Sequence, residues 1–299
     1  MAFKTIYSQY DNKTGLFSTE GALDLTTIPS NETVIQSSDA AYNDGFGNSV
    51  AVGNDRIVVG ASGDDDNGSN SGSAYIFDLD GTQLAKITAS DGASSDQFGE
   101  SVAVGNGRIV VGAPENTNNL GGNGNGSAYI FDLDGNQLTK ITASDGVSMD
   151  SFGYSVSVGN GRIVVGAPHF YPLYTYDPTK HTGSAYIFDL EGNELAKLID
   201  LDGGREDKFG WSVAIGSGRI VVGVPYDDDN GQWSGSAFIF DLDGTQIAKI
   251  TNIDTSSEVY FGKSVSVSNG RIVAGAQDRA YIYETPRVYT PYDLIYNEV

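Results

Sequence analysis

The dipeptide Phe-Gly recurs at Phe46-Gly47, Phe98-Gly99, Phe152-Gly153, Phe209-Gly210 and Phe261-Gly262, at intervals of 52, 54, 57 and 52 residues. Fourteen residues after each Phe stands a second glycine: Gly60, Gly112, Gly166, Gly223 and Gly275. A constant distance within the unit and a variable one between units describes a rigid hairpin joined to loops that tolerate changes of length. Each such unit is one supersecondary element that buries its apolar face only against its neighbours.

The unit from Phe98 to Gly146 reads as four strands. Ser101-Val102-Ala103-Val104 alternates and stops at Gly105-Asn106-Gly107, a tight-turn signal. Arg108-Ile109-Val110-Val111 returns as an apolar run suited to burial on both faces. After a loop, Ser127-Ala128-Tyr129-Ile130-Phe131 forms a third strand, Asp132-Leu133-Asp134-Gly135 turns the chain, and Gln137-Leu138-Thr139-Lys140-Ile141 is a more polar fourth. Four antiparallel strands repeated radially make a propeller blade, with polarity rising toward the outer edge.

The paired markers resemble FG-GAP repeats, the blade type of integrin α-subunit propellers. The closest matches are Phe98-Gly99 with Gly112-Ala113-Pro114 and Phe152-Gly153 with Gly166-Ala167-Pro168. The other units carry Gly60-Ala61-Ser62, Gly223-Val224-Pro225 and Gly275-Ala276-Gln277. The resemblance implies an all-β, five-bladed propeller of four-stranded antiparallel blades, whereas integrin propellers have seven. The organisation expected is an N-terminal arm at 1–31, the propeller at 32–284 and a C-terminal tail at 285–299.

The fifth unit lacks a fourth strand of the usual form, because Tyr281-Ile282-Tyr283 runs into Glu284-Thr285-Pro286. A substitute lies upstream of the first unit. Thr33-Val34-Ile35-Gln36-Ser37-Ser38-Asp39 aligns with Ala85-Lys86-Ile87-Thr88-Ala89-Ser90-Asp91 at the 52-residue offset of the Phe-Gly markers. This segment is expected to pair with blade five and latch the ring, removing exposed sheet edges. The tail carries Tyr289, Tyr292, Leu294, Ile295 and Tyr296. That is apolar for a solvated linker, so these residues are expected either to pack back or to dock in an assembly.

One end of such a propeller consists of near-identical short turns and the other of loops that differ from blade to blade, where binding is expected. Blade three's loop holds Phe170, Tyr171, Tyr174 and Tyr176, rings suited to stacking on sugars or filling a partner's pocket, and Trp233 in blade four's matching loop joins them as a candidate. Packing over the propeller's own top is the structural alternative. Two loops repeat an acidic run, Asp64-Asp65-Asp66 and Asp227-Asp228-Asp229, each followed by Asn-Gly. Clustered carboxylates on a short turn suit Ca²⁺, although solvated acidic turns read the same way. Integrin calcium motifs lie in the first hairpin, which is too short here to carry them over. The Asp-Leu-Asp-Gly runs read as turns, and Asp44, Asp96, Asp150 and Asp207, two residues before each Phe, as caps for loop amides.

Net charge −22 weighs against nucleic acid and anionic membrane surfaces. There is no cysteine for a disulfide or thiolate site and no run long enough for a membrane-spanning helix, and no classical signal peptide is expected from the residues after Met1. His169 and His181 with Asp177 lack zinc-ligand spacing, and the Gly-Asn-Gly-Asn-Gly run at 122–126 lacks the lysine of a phosphate loop. The expectation is a non-enzymatic binding or assembly module that requires no cofactor, with Ca²⁺ the one cation its loops suit. Its partners would be other protein subunits, as a homo-oligomer or larger assembly, or a cell-surface glycan or protein. A virion structural, decoration or host-attachment role leads, with a virion or extracellular location. A bacterial surface or secreted Ca²⁺-dependent adhesion protein and a carbohydrate-active enzyme on a propeller scaffold are the alternatives.

Overall fold

The computed structural model describes residues 9–11, 16–18, 33–116, 124–169, 182–204, 206–251 and 258–285. Contacts divide the chain into Met1–Ile35 and Gln36–Val299. The first unit contains a small antiparallel hairpin, Gln9–Asp11 with Leu16–Ser18, which the sequence reading did not anticipate.

The second unit holds five antiparallel sheets, one per repeat, each in simple up-and-down order. Blade two shows the pattern: Ser101–Gly105, Arg108–Ala113, Ser127–Phe131 and Gln137–Ile141. Its first hairpin closes through Asn106 and Gly107, both at positive φ (50° and 74°), the type I′ geometry whose twist matches paired strands. All five blades repeat it, with Asn54-Asp55, Asn160-Gly161, Ser217-Gly218 and Asn269-Gly270 at the same place. The outer turn is built by its aspartate. Asp132 Oδ1 accepts the backbone N–H groups of Asp134 (3.0 Å) and Asn136 (2.8 Å), and Gly135 supplies the positive φ that ends the turn. Asp78, Asp189 and Asp241 do the same.

Successive blades stack through one repeated interface. Blade one presents Ala51, Val58, Ala74, Ile76 and Ile87, and blade two answers with Val102, Val104, Ile109, Val111, Tyr129 and Phe131. Phe98 is the wedge in this seam, edge-on to Tyr129 at 5.4 Å and to Phe131 at 5.9 Å, and fully buried. Burying such a ring contributes about 2–3 kcal/mol, and the edge-to-face contacts add about 0.5–1.5 kcal/mol each. Phe152, Phe209 and Phe261 are wedged alike in the next three seams.

The fifth sheet has three strands, Ser264–Ser268, Arg271–Gly275 and Ala280–Glu284, and residues 33–37 form no strand. The N-terminal latch is therefore not formed among the described residues. Both ends of the stack are open. Val50 of blade one is 67% exposed where its counterpart Val102 in blade two is 9%, and Val52 is 72% exposed where its counterpart Val104 is partly buried. Ile282 of blade five is 72% exposed where Ile76 and Ile130 are fully buried. Among the described residues no helix is long and apolar enough to cross a membrane.

Candidate binding site at the loop end

The loops between the second and third strands, and those leading to the next blade, share one end of the stack. They are organised first by charge. In blade two, Asp91 accepts hydrogen bonds from the Tyr129 hydroxyl (2.8 Å) and the Lys140 ammonium (2.6 Å), and Lys140 lies over the Tyr129 ring. Asp145 with Tyr186 and Lys197 repeats the arrangement in the next blade. Burial raises the Asp91 and Asp145 carboxyls, but the lysine and tyrosine hydrogen bonds outweigh it and hold both below the usual carboxylate range. The expected caps are present: Asp96, Asp150 and Asp207 accept the N–H groups of Ala93, Val147 and Gly204.

The segment before blade one adopts the same arrangement. Asp39 accepts from Tyr75 (2.8 Å) and Lys86 (2.5 Å), as Asp91 does from Tyr129 and Lys140. Ser38 exchanges two hydrogen bonds with the Gln83 amide, as Ser90 does with Gln137. Residues 37–39 thus sit on blade one as residues 89–91 sit on blade two.

Both acidic runs face a lysine. Lys86 bonds Asp39, Asp64 and Asp66, three carboxylates whose oxygens lie within 4.8 Å of one another. Burial would lower the Lys86 pKa, yet these hydrogen bonds raise it overall. In blade four, Lys249 reaches Asp227 and Asp229 at 2.6 Å and Asp200 at 3.4 Å. Burial again lowers and the carboxylates more than restore its charge. Asp207 joins Asp200 and Asp227 in a second carboxylate triad. Its carboxyl is pushed up to about 7, by burial first and then by the charges of Asp227, Asp200 and Asp228, against the Gly204 N–H that lowers it. The remaining members serve the backbone: Asp65 accepts the Asn70 N–H and Asp228 the Trp233 N–H. In each cluster one ammonium faces three carboxylates, so the local charge stays negative.

Trp233 belongs to a cluster that the sequence reading missed. Its ring stacks on Tyr260 (6.0 Å, 25°), both stand edge-on to Tyr226, and Tyr226 meets Trp211, which leans on Tyr154. Tyr154 and Trp211 follow the Phe-Gly of blades three and four, Tyr260 precedes that of blade five, and Tyr226 follows Gly223-Val224-Pro225. Proximity to the markers was the only signal available. Burial, with Glu100 and Tyr226 nearby, pushes the Tyr154 hydroxyl up to about 12.

Phe170, Tyr171, Tyr174 and Tyr176 lie outside the described residues, as do His181, Asp177 and the tail residues Tyr289, Tyr292, Leu294, Ile295 and Tyr296. His169 is buried, with Nδ1 3.1 Å from Asp150.

The FG-GAP repeat model matches this chain five times, at residues 29–77, 82–131, 136–188, 193–240 and 245–285. The chain belongs to the FG-GAP repeat family. Each match takes in the first three strands of one blade, and each of the last four begins one residue before the fourth strand of the preceding blade. The first FG-GAP match begins at residue 29 and so takes in the segment before blade one. Comparison with curated proteins found no match. Among solved structures, the computationally designed Ika4 protein is similar at 14% identity and a TM-score of 0.43, over 71% of this chain and 98% of that one.

Proposed function

We propose that the chain is a non-enzymatic binding and assembly module, a five-bladed ring that serves as a virion structural, decoration or host-attachment protein. The carrying observation is the contrast between its two ends. The hairpin end repeats one turn five times, while the loop end changes from blade to blade and gathers aromatic rings. A uniform scaffold with variable loops is how binding surfaces are built. Family membership supports a propeller binding module, and the virion role extends that reading to a cysteine-free, strongly acidic chain with an apolar tail. Ring closure is supported by the seating of residues 37–39 on blade one and by the match of the two open faces. Val273, Ala280 and Ile282 repeat Val58, Ala74 and Ile76 at the same register.

The testing experiment is light scattering of the full chain and of a chain ending at residue 284. The assembly reading expects an oligomer that the shortening abolishes; a monomer in both cases overturns it. A Ca²⁺-dependent adhesion protein is the second reading, favoured by the Asp39, Asp64 and Asp66 triad. There Ca²⁺ would have to displace Lys86, so a melting temperature that rises with Ca²⁺ and falls back with chelator would support it.

A further inference from the structure

The aromatic cluster of blades three to five has the form of a ligand platform, and the geometry points to a neutral pyranose ring of a glycan as its occupant. The inference rests on the loop end being the binding end and names the ligand class. Trp233 and Tyr260 present nearly parallel rings, with Tyr226 and Trp211 set edgewise behind them. Between Trp211, Pro225, Tyr226, Tyr260 and Lys263 lies a recess of about 80 Å³. Sites that enclose a drug-sized ligand measure about 300–1,000 Å³. A ligand here therefore lies on the rings and inserts only a substituent, such as an acetyl or hydroxymethyl group.

Backbone strain marks the same two residues. Trp233 and Tyr260 hold positive φ, 53° and 54°. The positions are inherited from the repeat, since Asn70 and Gln97 stand there between blades one and two at 52° and 56°. The residue before the marker Phe holds positive φ in every seam, at Gln97, Ser151 and Lys208 as at Tyr260, so the repeat sets the direction in which this ring leaves the backbone. The backbone also fixes both rings: the Trp233 N–H donates to Asp228, and the Trp233 carbonyl accepts from the Tyr260 N–H.

Electrostatics chooses among flat ligands. A nucleotide would bring phosphate to a chain of net charge −22. A sugar presents C–H groups of slight positive charge to the negative ring faces, leaving its hydroxyls for polar groups at the rim. Exposed Lys263 lines the recess, and exposed Glu258 lies two residues before Tyr260, supplying a donor and an acceptor.

Trp211 and Trp233 are the only tryptophans, so emission excited at the red edge, where the tyrosines do not absorb, reads this site. The full chain is titrated with lactose, chitotriose, mannotriose and cellotriose, and with a proline-rich decapeptide. A saturable emission change is expected with at least one saccharide, weakened about tenfold or more in Tyr260→Ala and in Lys263→Ala. Lys263→Ala alters an exposed side chain and guards against misfolding of the ring variant. No change with any saccharide, in protein whose melting is unaltered, overturns the glycan assignment. A response to the decapeptide alone also overturns it while leaving the loop end as a binding surface. Persistence of the saccharide response in both variants removes the site from this cluster.

Discussion

The α-carbon of Gly112 faces the carbonyl oxygen of Gly153 so closely that a Cβ on Gly112 would lie 1.9 Å from it. Gly112 belongs to blade two and Gly153 to the Phe-Gly loop leading into blade three, so the two markers of the repeat meet across a seam. Within one blade the markers meet too, through the Gly99 N–H donating to the Gly112 carbonyl at 2.9 Å. The fourteen-residue spacing exists because the Phe-Gly loop lies against the end of its own first hairpin.

Gly112→Ala should therefore destabilise the protein by about 2–4 kcal/mol, since the obstruction is backbone and cannot rotate away. Gly107→Ala, at φ 74° with open space around it, should cost only about 1 kcal/mol. Urea unfolding of the two variants checks the contrast, and equal losses would mean that the seam is looser than described.

Asp91 ties Tyr129 and Lys140 into one cluster, and its folded pKa is lowered. A depressed carboxylate contributes stability above its unfolded pKa of about 4, lost as pH falls through the folded value. Asp91→Ala should cost about 1 kcal/mol at pH 7, the carboxylate being partly exposed. The cost should shrink below pH 3, as read from denaturation midpoints at both pH values.

Asp207 has the opposite sign. With its folded pKa raised to about 7, the folded state holds a proton that the unfolded state has released, so stability declines as pH rises from about 4 to 7. Asp207→Asn keeps an acceptor for the Gly204 N–H and removes the charge. It should raise the melting temperature at pH 8, do little at pH 4, and flatten the profile between them.

Ring closure can be read by cross-linking, because the chain has no cysteine. Lys86 pairs with Tyr75 in blade one, and the 52-residue offset of the N-terminal segment places Val34 opposite Tyr281 in a completed blade five. Val34→Cys with Tyr281→Cys should oxidise to a monomeric disulfide if the chain closes on itself. A disulfide dimer would signify strand exchange between copies, and failure to form either would overturn closure.

Blade architecture was legible in the residues because it is local: a two-residue turn, an alternating strand and an Asp-Gly turn are decided within about ten positions. Asn106-Gly107 and Asp132-Leu133-Asp134-Gly135 specify their backbone geometry wherever they occur. The Phe-Gly period added the number of blades. What neighbours each loop residue was decided only in the tertiary structure. Lys86 reaches Asp39 and Asp64 across 47 and 22 residues of chain, gathering carboxylates that the sequence leaves far apart. Trp211, Tyr226, Trp233 and Tyr260 are scattered over two repeats and converge because stacking brings adjacent loop ends together. A repeat sequence dictates its blade through short-range backbone preferences, whereas a site between blades depends on side chains that only packing brings into contact.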